Sequence, residues 1–131
     1  MPEKKGTKKT TPRVLLIEDD EFMIKILERE FKTHGVSNFR FVREGEKAAD
    51  EFNVYNPDVV VLDILLPGKS GLDALRDIRK LKAGKNIPVY VLSNYGTDEY
   101  REQALKLGVR EYLLKSNTMI SDLVEKLKAL K

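Results

Sequence analysis

Short apolar runs alternate with longer amphipathic ones along almost the whole chain. The short runs, 13–18, 38–42, 58–62, 87–92 and 109–114, are rich in Val, Ile, Phe and Tyr, as strands prefer. Apolarity is unbroken in 59–62 and 89–92, which predicts strands buried on both faces. Between these runs apolar residues recur at helical spacing. Ile24, Leu27 and Phe31 do so in 20–33, Ala48, Ala49 and Phe52 in 44–55, and Leu72, Leu75 and Ile78 in 70–82. Tyr100, Ala104 and Leu107 share a face in 97–107, and Ile120, Leu123, Val124, Leu127 and Leu130 make the strongest stripe, in 118–130. Gly35, Gly84 and Gly108 fall where helices should stop. Thr97 suits one helix start, and Thr118 and Ser121 suit the last. Five successive β-α units predict one α/β domain, a parallel sheet covered by helices on both faces and joined by right-handed crossovers. Ligands of such a sheet bind at the carboxyl ends of its strands.

Acids cluster at those ends. Val14-Leu15-Leu16-Ile17 runs into Glu18-Asp19-Asp20, and Val59-Val60-Val61-Leu62 runs into Asp63, followed by Ile64-Leu65-Leu66-Pro67-Gly68. A parallel sheet delivers both acidic ends to one edge. Crowded carboxylates repel one another, and burial makes each anion costlier. A cation relieves that cost, and oxygen-only ligands suit Mg²⁺ or a similar hard ion. A carboxylate beside such an ion can act as a nucleophile toward phosphorus.

Composition narrows the reading further. A chain of 131 residues with 41% hydrophobic and 34% charged residues is globular and long enough to bury a core. With no cysteine, disulfides and thiol chemistry are excluded, which fits a cytoplasmic protein. No apolar stretch is long enough to span a bilayer, and the N-terminal residues lack the apolar core of a secretory signal. The net charge of +3 belongs entirely to residues 1–12, where Lys4, Lys5, Lys8 and Lys9 face Glu3 alone, so the remainder is formally neutral. Residues 1–12 are therefore expected to be a disordered basic tail, and residues 13–131 a folded domain that binds neither nucleic acid nor membrane. His34 is the only histidine and is assigned a structural place near the end of the first helix.

From Arg13 to Lys131 the chain resembles the receiver domain of a two-component response regulator, of the single-domain chemotaxis type. Four elements carry the resemblance: Glu18-Asp19 after the first strand, Asp63 through Gly71 after the third, Ser93 ending the fourth, and Tyr112 with Lys115 on the fifth. Any one is weak alone; all four in order are specific. The resemblance implies a flavodoxin-like (βα)5 fold with strand order 2-1-3-4-5. It implies phosphorylation of Asp63, dependent on Mg²⁺, by a histidine kinase or phosphotransfer protein, with no other enzymatic activity. It also implies output through contact with a downstream protein, as a monomer or a phosphorylation-dependent homodimer. Truncation of an output domain is the alternative to output by contact.

The same resemblance assigns roles. Asp19 is the direct metal ligand with Glu18 in support, Asp63 shares the metal, and the backbone carbonyl of Leu65 completes the set. Asp20 is left as a helix N-cap. Lys115 pairs with Asp63 and then with the phosphoryl oxygen. Ser93 donates to the phosphoryl group, and Ser93 and Tyr112 form the switch. Two departures stand out. Ser116 follows Lys115 where the family usually has proline, which favours a trans bond and a differently shaped loop. Asn94 and Tyr95 follow Ser93 where the family usually has a small residue, which narrows access to the phosphoryl group. Rival readings are a degenerate receiver acting as a constitutive interaction module, a flavodoxin-type cofactor binder and a metal-dependent phosphohydrolase. No Gly-rich phosphate cradle supports the last two, and the full acid set opposes the first.

Overall fold

The computed structural model describes residues 11–130. The expected basic tail lies outside them apart from Thr11 and Pro12, and Pro12 is buried. The elements run β1 (Val14–Ile17), α1 (Glu21–Thr33), β2 (Phe39–Val42), α2 (Ala48–Tyr55), β3 (Val59–Leu62), α3 (Gly71–Lys80), β4 (Val89–Ser93), α4 (Asp98–Lys106), β5 (Glu111–Leu114) and α5 (Ile120–Lys128). All strands pair in parallel in the order β2-β1-β3-β4-β5. Every expected strand and helix is present, with boundaries trimmed by one to three residues at most ends.

Alternation along the strands splits the core into two layers. Leu15, Ile17, Val60, Leu62, Val89 and Val91 face α2, α3 and α4, where Phe52, Leu75, Ile78 and Ala104 cover them. Val14, Leu16, Val59, Val61, Tyr90 and Leu92 face α1 and α5, where Leu27, Phe31, Leu123 and Leu127 cover them. Residues of β1 and β3 are at most 3% exposed, which explains their unbroken apolarity. The edge strands β2 and β5 are only partly buried, and there charged and aromatic residues interrupt the pattern.

Three local expectations are corrected. A 3₁₀ turn, Gly45–Lys47, precedes α2, so the helix itself begins at Ala48. Helix α3 stops at Lys80, short of Gly84, because Leu81 turns to an extended backbone. Gly84 serves close approach instead: a Cβ there would lie 2.1 Å from the Ile78 carbonyl oxygen. Helix α5 has no side-chain cap, and the Thr118 hydroxyl donates to the Leu114 carbonyl at 2.7 Å, tying the turn after β5 to the strand.

The other punctuation is as expected. Gly35 and Gly108 end α1 and α4 with φ of +79°. Thr97 caps α4 by accepting from the Tyr100 N–H at 3.3 Å.

Candidate functional site: an acidic edge closed by a lysine

The β1–β3 register pairs Ile17 with Leu62, and the Asp63 N–H extends the ladder to the Ile17 carbonyl at 2.9 Å. On the other side the Glu18 N–H reaches the Val42 carbonyl, also at 2.9 Å. The sheet thus sets Glu18 and Asp63 side by side, one step beyond their strands. Both are almost fully buried, at 3% and 6% exposure. One oxygen from each of Glu18, Asp19 and Asp63 lies within 4.8 Å of the others. Asp19 is the more open of the three.

Asp20 takes the N-cap of α1, accepting from Phe22 N–H at 3.0 Å and Met23 N–H at 3.5 Å. Its own N–H donates to Glu18 Oε2 at 3.1 Å, which fixes the Glu18 carboxylate. The N–H of Leu65, a residue on the exposed loop after β3, donates to Asp63 Oδ1 at 3.3 Å.

Lys115 follows β5 directly, and the β4–β5 register sets Leu114 beside Ser93. Its ammonium donates to Asp63 Oδ2 at 3.0 Å and lies 3.0 Å from Glu18 Oε1, with Asp20 at 3.9 Å. Only 8% of the side chain is exposed. Among the described residues no peptide bond is cis, and Lys115–Asn117 form a short 3₁₀ turn.

Burial raises the Glu18 carboxyl to about 7, helped by the Asp63 charge beside it, although the Asp20 N–H and Lys115 pull the other way. For Lys115 burial pulls downward, but the Glu18 and Asp63 charges and their hydrogen bonds outweigh it and hold the ammonium above its usual range. The cluster therefore carries more negative charge than one lysine balances. Oxygen donors, crowding and a half-open Asp19 fit a hard divalent cation.

Ser93 is fully buried, and its Oγ accepts from the Tyr95 N–H at 3.3 Å. The Tyr112 hydroxyl donates to the Tyr95 carbonyl. Arg101 lies 5.0 Å over the Tyr112 ring and donates through Nε to the Gly96 carbonyl at 3.1 Å. Tyr112 is half-buried against the α2–α3–α4 layer. His34 pairs with Glu125 at 2.8 Å and Glu30 at 3.5 Å, bridging α1 to α5 at the opposite end of the sheet from the acids.

The structure brings Glu18, Asp19, Asp63 and Lys115 together and places Ser93 on the neighbouring strand end. Sequence reasoning missed two features. Glu18 contacts Lys115 as closely as Asp63 does, and Arg101 clamps Tyr112. Neither has a periodic signature; Arg101 is one exposed-face cation among many.

The family model for the response regulator receiver domain matches residues 14–128. The chain is 32% identical over 107 residues to the chemotaxis protein CheY of Halobacterium salinarum, covering 79% of this chain and 83% of that protein. It is 34% identical over 103 residues to the cell cycle transcriptional regulator CtrA of Caulobacter vibrioides, covering 79% of this chain but 43% of that protein. Thus the chain spans half or less of such longer relatives. Among solved structures it is similar to the receiver domain of the sensor histidine kinase PA1611 of Pseudomonas aeruginosa, which has a magnesium ion in its active-site cleft. There the TM-score is 0.78 at 25% identity, over 90% of this chain and 95% of that one. It is likewise similar to the phosphorylated cyanobacterial phytochrome response regulator RcpA, with a TM-score of 0.77 at 28% identity, over 91% and 90%.

Proposed function

The chain belongs to the response regulator receiver domain family, and we propose that it is a phospho-acceptor switch, phosphorylated on Asp63 by a histidine kinase or phosphotransfer protein. The observation that carries this is one contact set: a buried Asp63 carboxylate, 3.0 Å from Lys115 Nζ and within 4.8 Å of oxygens from Glu18 and Asp19.

Glu18, Asp19 and Asp63 would hold Mg²⁺, with the Leu65 carbonyl as a further ligand. When bound, the ion neutralises the acids and the incoming phosphoryl oxygens. The rest falls to the chain itself. Asp63 forms the new O–P bond as the donor's bond to phosphorus breaks and the donor leaves with that electron pair. Such transfer rests on positioning and charge neutralisation. Two contacts hold the Asp63 carboxylate in one orientation, Leu65 N–H at one oxygen and Lys115 at the other. Lys115 already pairs with the Asp63 carboxylate, would pair with a phosphoryl oxygen once the O–P bond has formed, and its raised pKa keeps it cationic.

Output runs through Ser93. Its oxygen already accepts from Tyr95, so its proton remains free for a phosphoryl oxygen. Drawing Ser93 toward Asp63 pulls on Tyr95, whose carbonyl holds Tyr112. The surface around α4 and β5 then changes, and a partner protein reads it. This reading also places the protein in the cytoplasm, where such kinases present their phosphoryl groups.

Incubation with Mg²⁺ and acetyl phosphate tests the assignment by intact mass. Wild type should gain one phosphoryl unit and Asp63→Asn none. Equal labelling of both would sink it. A protein that neither labels nor binds Mg²⁺ would be a constitutive interaction module.

A further inference from the structure

The formal neutrality of residues 13–131 conceals a polarised domain. Acids crowd the carboxyl edge of the sheet, and a group of cations lies at the opposite end, beside the last turns of α3 and α4. In the last turns of α3 and α4 and the loops that leave them, the charged residues are Arg79, Lys80, Lys82, Lys85, Lys106 and Arg110, with no Asp or Glu in 79–88 or 105–110. A cavity of about 400 Å³ opens between these loops, lined by Arg79, Lys85, Asn86, Lys106, Leu107 and Gly108.

Cations near helix C-termini usually complement the exposed carbonyls there. Here Arg79 does so by direct hydrogen bonds. Its Nε donates to the Leu107 carbonyl at 2.7 Å and Nη1 to Ile87 at 2.7 Å and Gly84 at 3.1 Å, while Nη2 reaches Gly108 at 3.2 Å. Four carbonyls fix the guanidinium, leave one Nη2 proton unused, and supply no countercharge. Burial alone acts on it, lowering its pKa with no carboxylate to oppose the shift. Lys85 and Lys106 are exposed, and among the described residues neither has a carboxylate within ion-pair distance.

A second cavity makes the contrast. At the β2 edge, one of about 590 Å³ is lined by Arg40, Arg43 and Lys47 as well, but each is paired: with Glu51 at 3.0 Å, with Glu21, and with Glu44 at 3.0 Å. Charge is compensated there and uncompensated between α3 and α4. A fixed guanidinium, two exposed ammoniums and an amide around one concavity match an anion that carries several charges and several acceptor oxygens.

We propose that the cavity between the C-terminal ends of α3 and α4 is a binding site for a phosphate-bearing ligand of at least two negative charges, contacted by Arg79, Lys85 and Lys106. The site lies at the opposite edge of the sheet from Asp63, so a ligand there can bind whether or not Asp63 is phosphorylated.

Inorganic pyrophosphate, titrated into the full chain in metal-free buffer and followed by amide NMR, tests this. Saturable shifts should map to 79–86 and 106–110. Lys85→Ala/Lys106→Ala should weaken binding at least tenfold without changing the melting temperature, since both side chains are exposed; Arg79 is left intact because it also ties two turns. A second titration with a short DNA duplex identifies the source of the phosphate. Tighter binding with the same shift map assigns it to a polynucleotide, and weaker binding to a small phosphate ester. Shifts that never saturate, that map to residues 1–10, or that persist unchanged in the double variant would overturn the site. So would binding of duplex without pyrophosphate.

Discussion

Lys115 Nζ lies as close to Glu18 Oε1, at 3.0 Å, as to Asp63 Oδ2. One ammonium therefore serves two buried carboxylates, and the arrangement is short of positive charge until a cation joins it. Glu18 responds by favouring its neutral form, with a pKa raised to about 7 chiefly by burial and by Asp63. The metal-free site stores electrostatic cost, and that cost can be measured.

Stability of the metal-free protein should fall as pH rises from 4.5 to 7. The folded pKa of Glu18 exceeds its ordinary value of 4.5, so across that window the folded state binds more protons than the unfolded one. Its favourable contribution is complete below 4.5 and is lost as pH climbs through 7. Asp63, Asp19, Asp20 and Lys115 are the charged groups around it. Urea unfolding in EDTA should show a gain on the order of 2 kcal/mol on going from about pH 7.5 to about pH 5.5. Glu18→Gln should flatten that slope. An equally steep slope in Glu18→Gln would place the titration elsewhere.

Opposite effects are expected from removing the cation and removing an anion. Lys115→Met leaves Glu18 and Asp63 buried without a partner, and breaking such a pair costs about 3–5 kcal/mol. That loss should shrink at low pH, where Glu18 is neutral. Asp63→Asn keeps Lys115 paired with Glu18 and relieves repulsion, so its metal-free melting temperature should rise above wild type. Saturating Mg²⁺ should narrow the gap. If Asp63→Asn melts lower, its contacts with Leu65 and Lys115 outweigh the repulsion.

Neighbouring acids divide between the acidic cluster and the helix. Asp19 belongs to the three-oxygen cluster, whereas Asp20 caps α1. Titration of Mg²⁺ by fluorescence or calorimetry should show Asp19→Asn weakening binding by more than about 100-fold, beyond what loss of an outer partner costs. Asp20→Asn should bind nearly as wild type, since asparagine also caps. Asp20→Ala should lose about 1 kcal/mol of stability instead. A larger affinity loss from Asp20→Asn would exchange the two roles.

The five β-α units and the placing of Asp63 at a strand end were legible because apolar alternation and strand-end acids are local signals, whereas the sheet order came only from the resemblance to receiver domains. Glu18 and Asp63 lie side by side by register alone, and register follows from which strand faces are buried. The Lys115–Glu18 contact was not legible, because it depends on how the turn after β5 closes, and Ser116 there departs from the usual proline. Thr118 illustrates the same limit. Its sequence position suits a helix cap, but the hydroxyl finds the Leu114 carbonyl first. The basic cluster beside the ends of α3 and α4 was hidden for a different reason. A sum over residues 13–131 cancels charges that lie at opposite ends of the strands.

Tyr95 is hydrogen-bonded to both Ser93, at the site, and Tyr112, on β5. Its N–H donates to Ser93 Oγ and its carbonyl accepts from the Tyr112 hydroxyl. Arg101 reinforces the clamp by covering the Tyr112 ring and holding Gly96. A phosphoryl group shifts this equilibrium only by the difference in its free energy between the two arrangements. That difference should come from the Ser93 hydroxyl proton. With the phosphate mimic beryllofluoride and Mg²⁺, wild type should show amide NMR shifts spread over 93–115. Ser93→Ala should bind the mimic but confine its shifts to the neighbourhood of Asp63. Tyr112→Phe keeps the ring and its stacking but loses the hydroxyl, so the Tyr95–Gly96 segment should exchange its amide protons faster even without the mimic. If Ser93→Ala shows the full spread over 95–112, coupling bypasses Tyr95. Tyr112 is then a packed aromatic, held in place by Arg101 and carrying no signal.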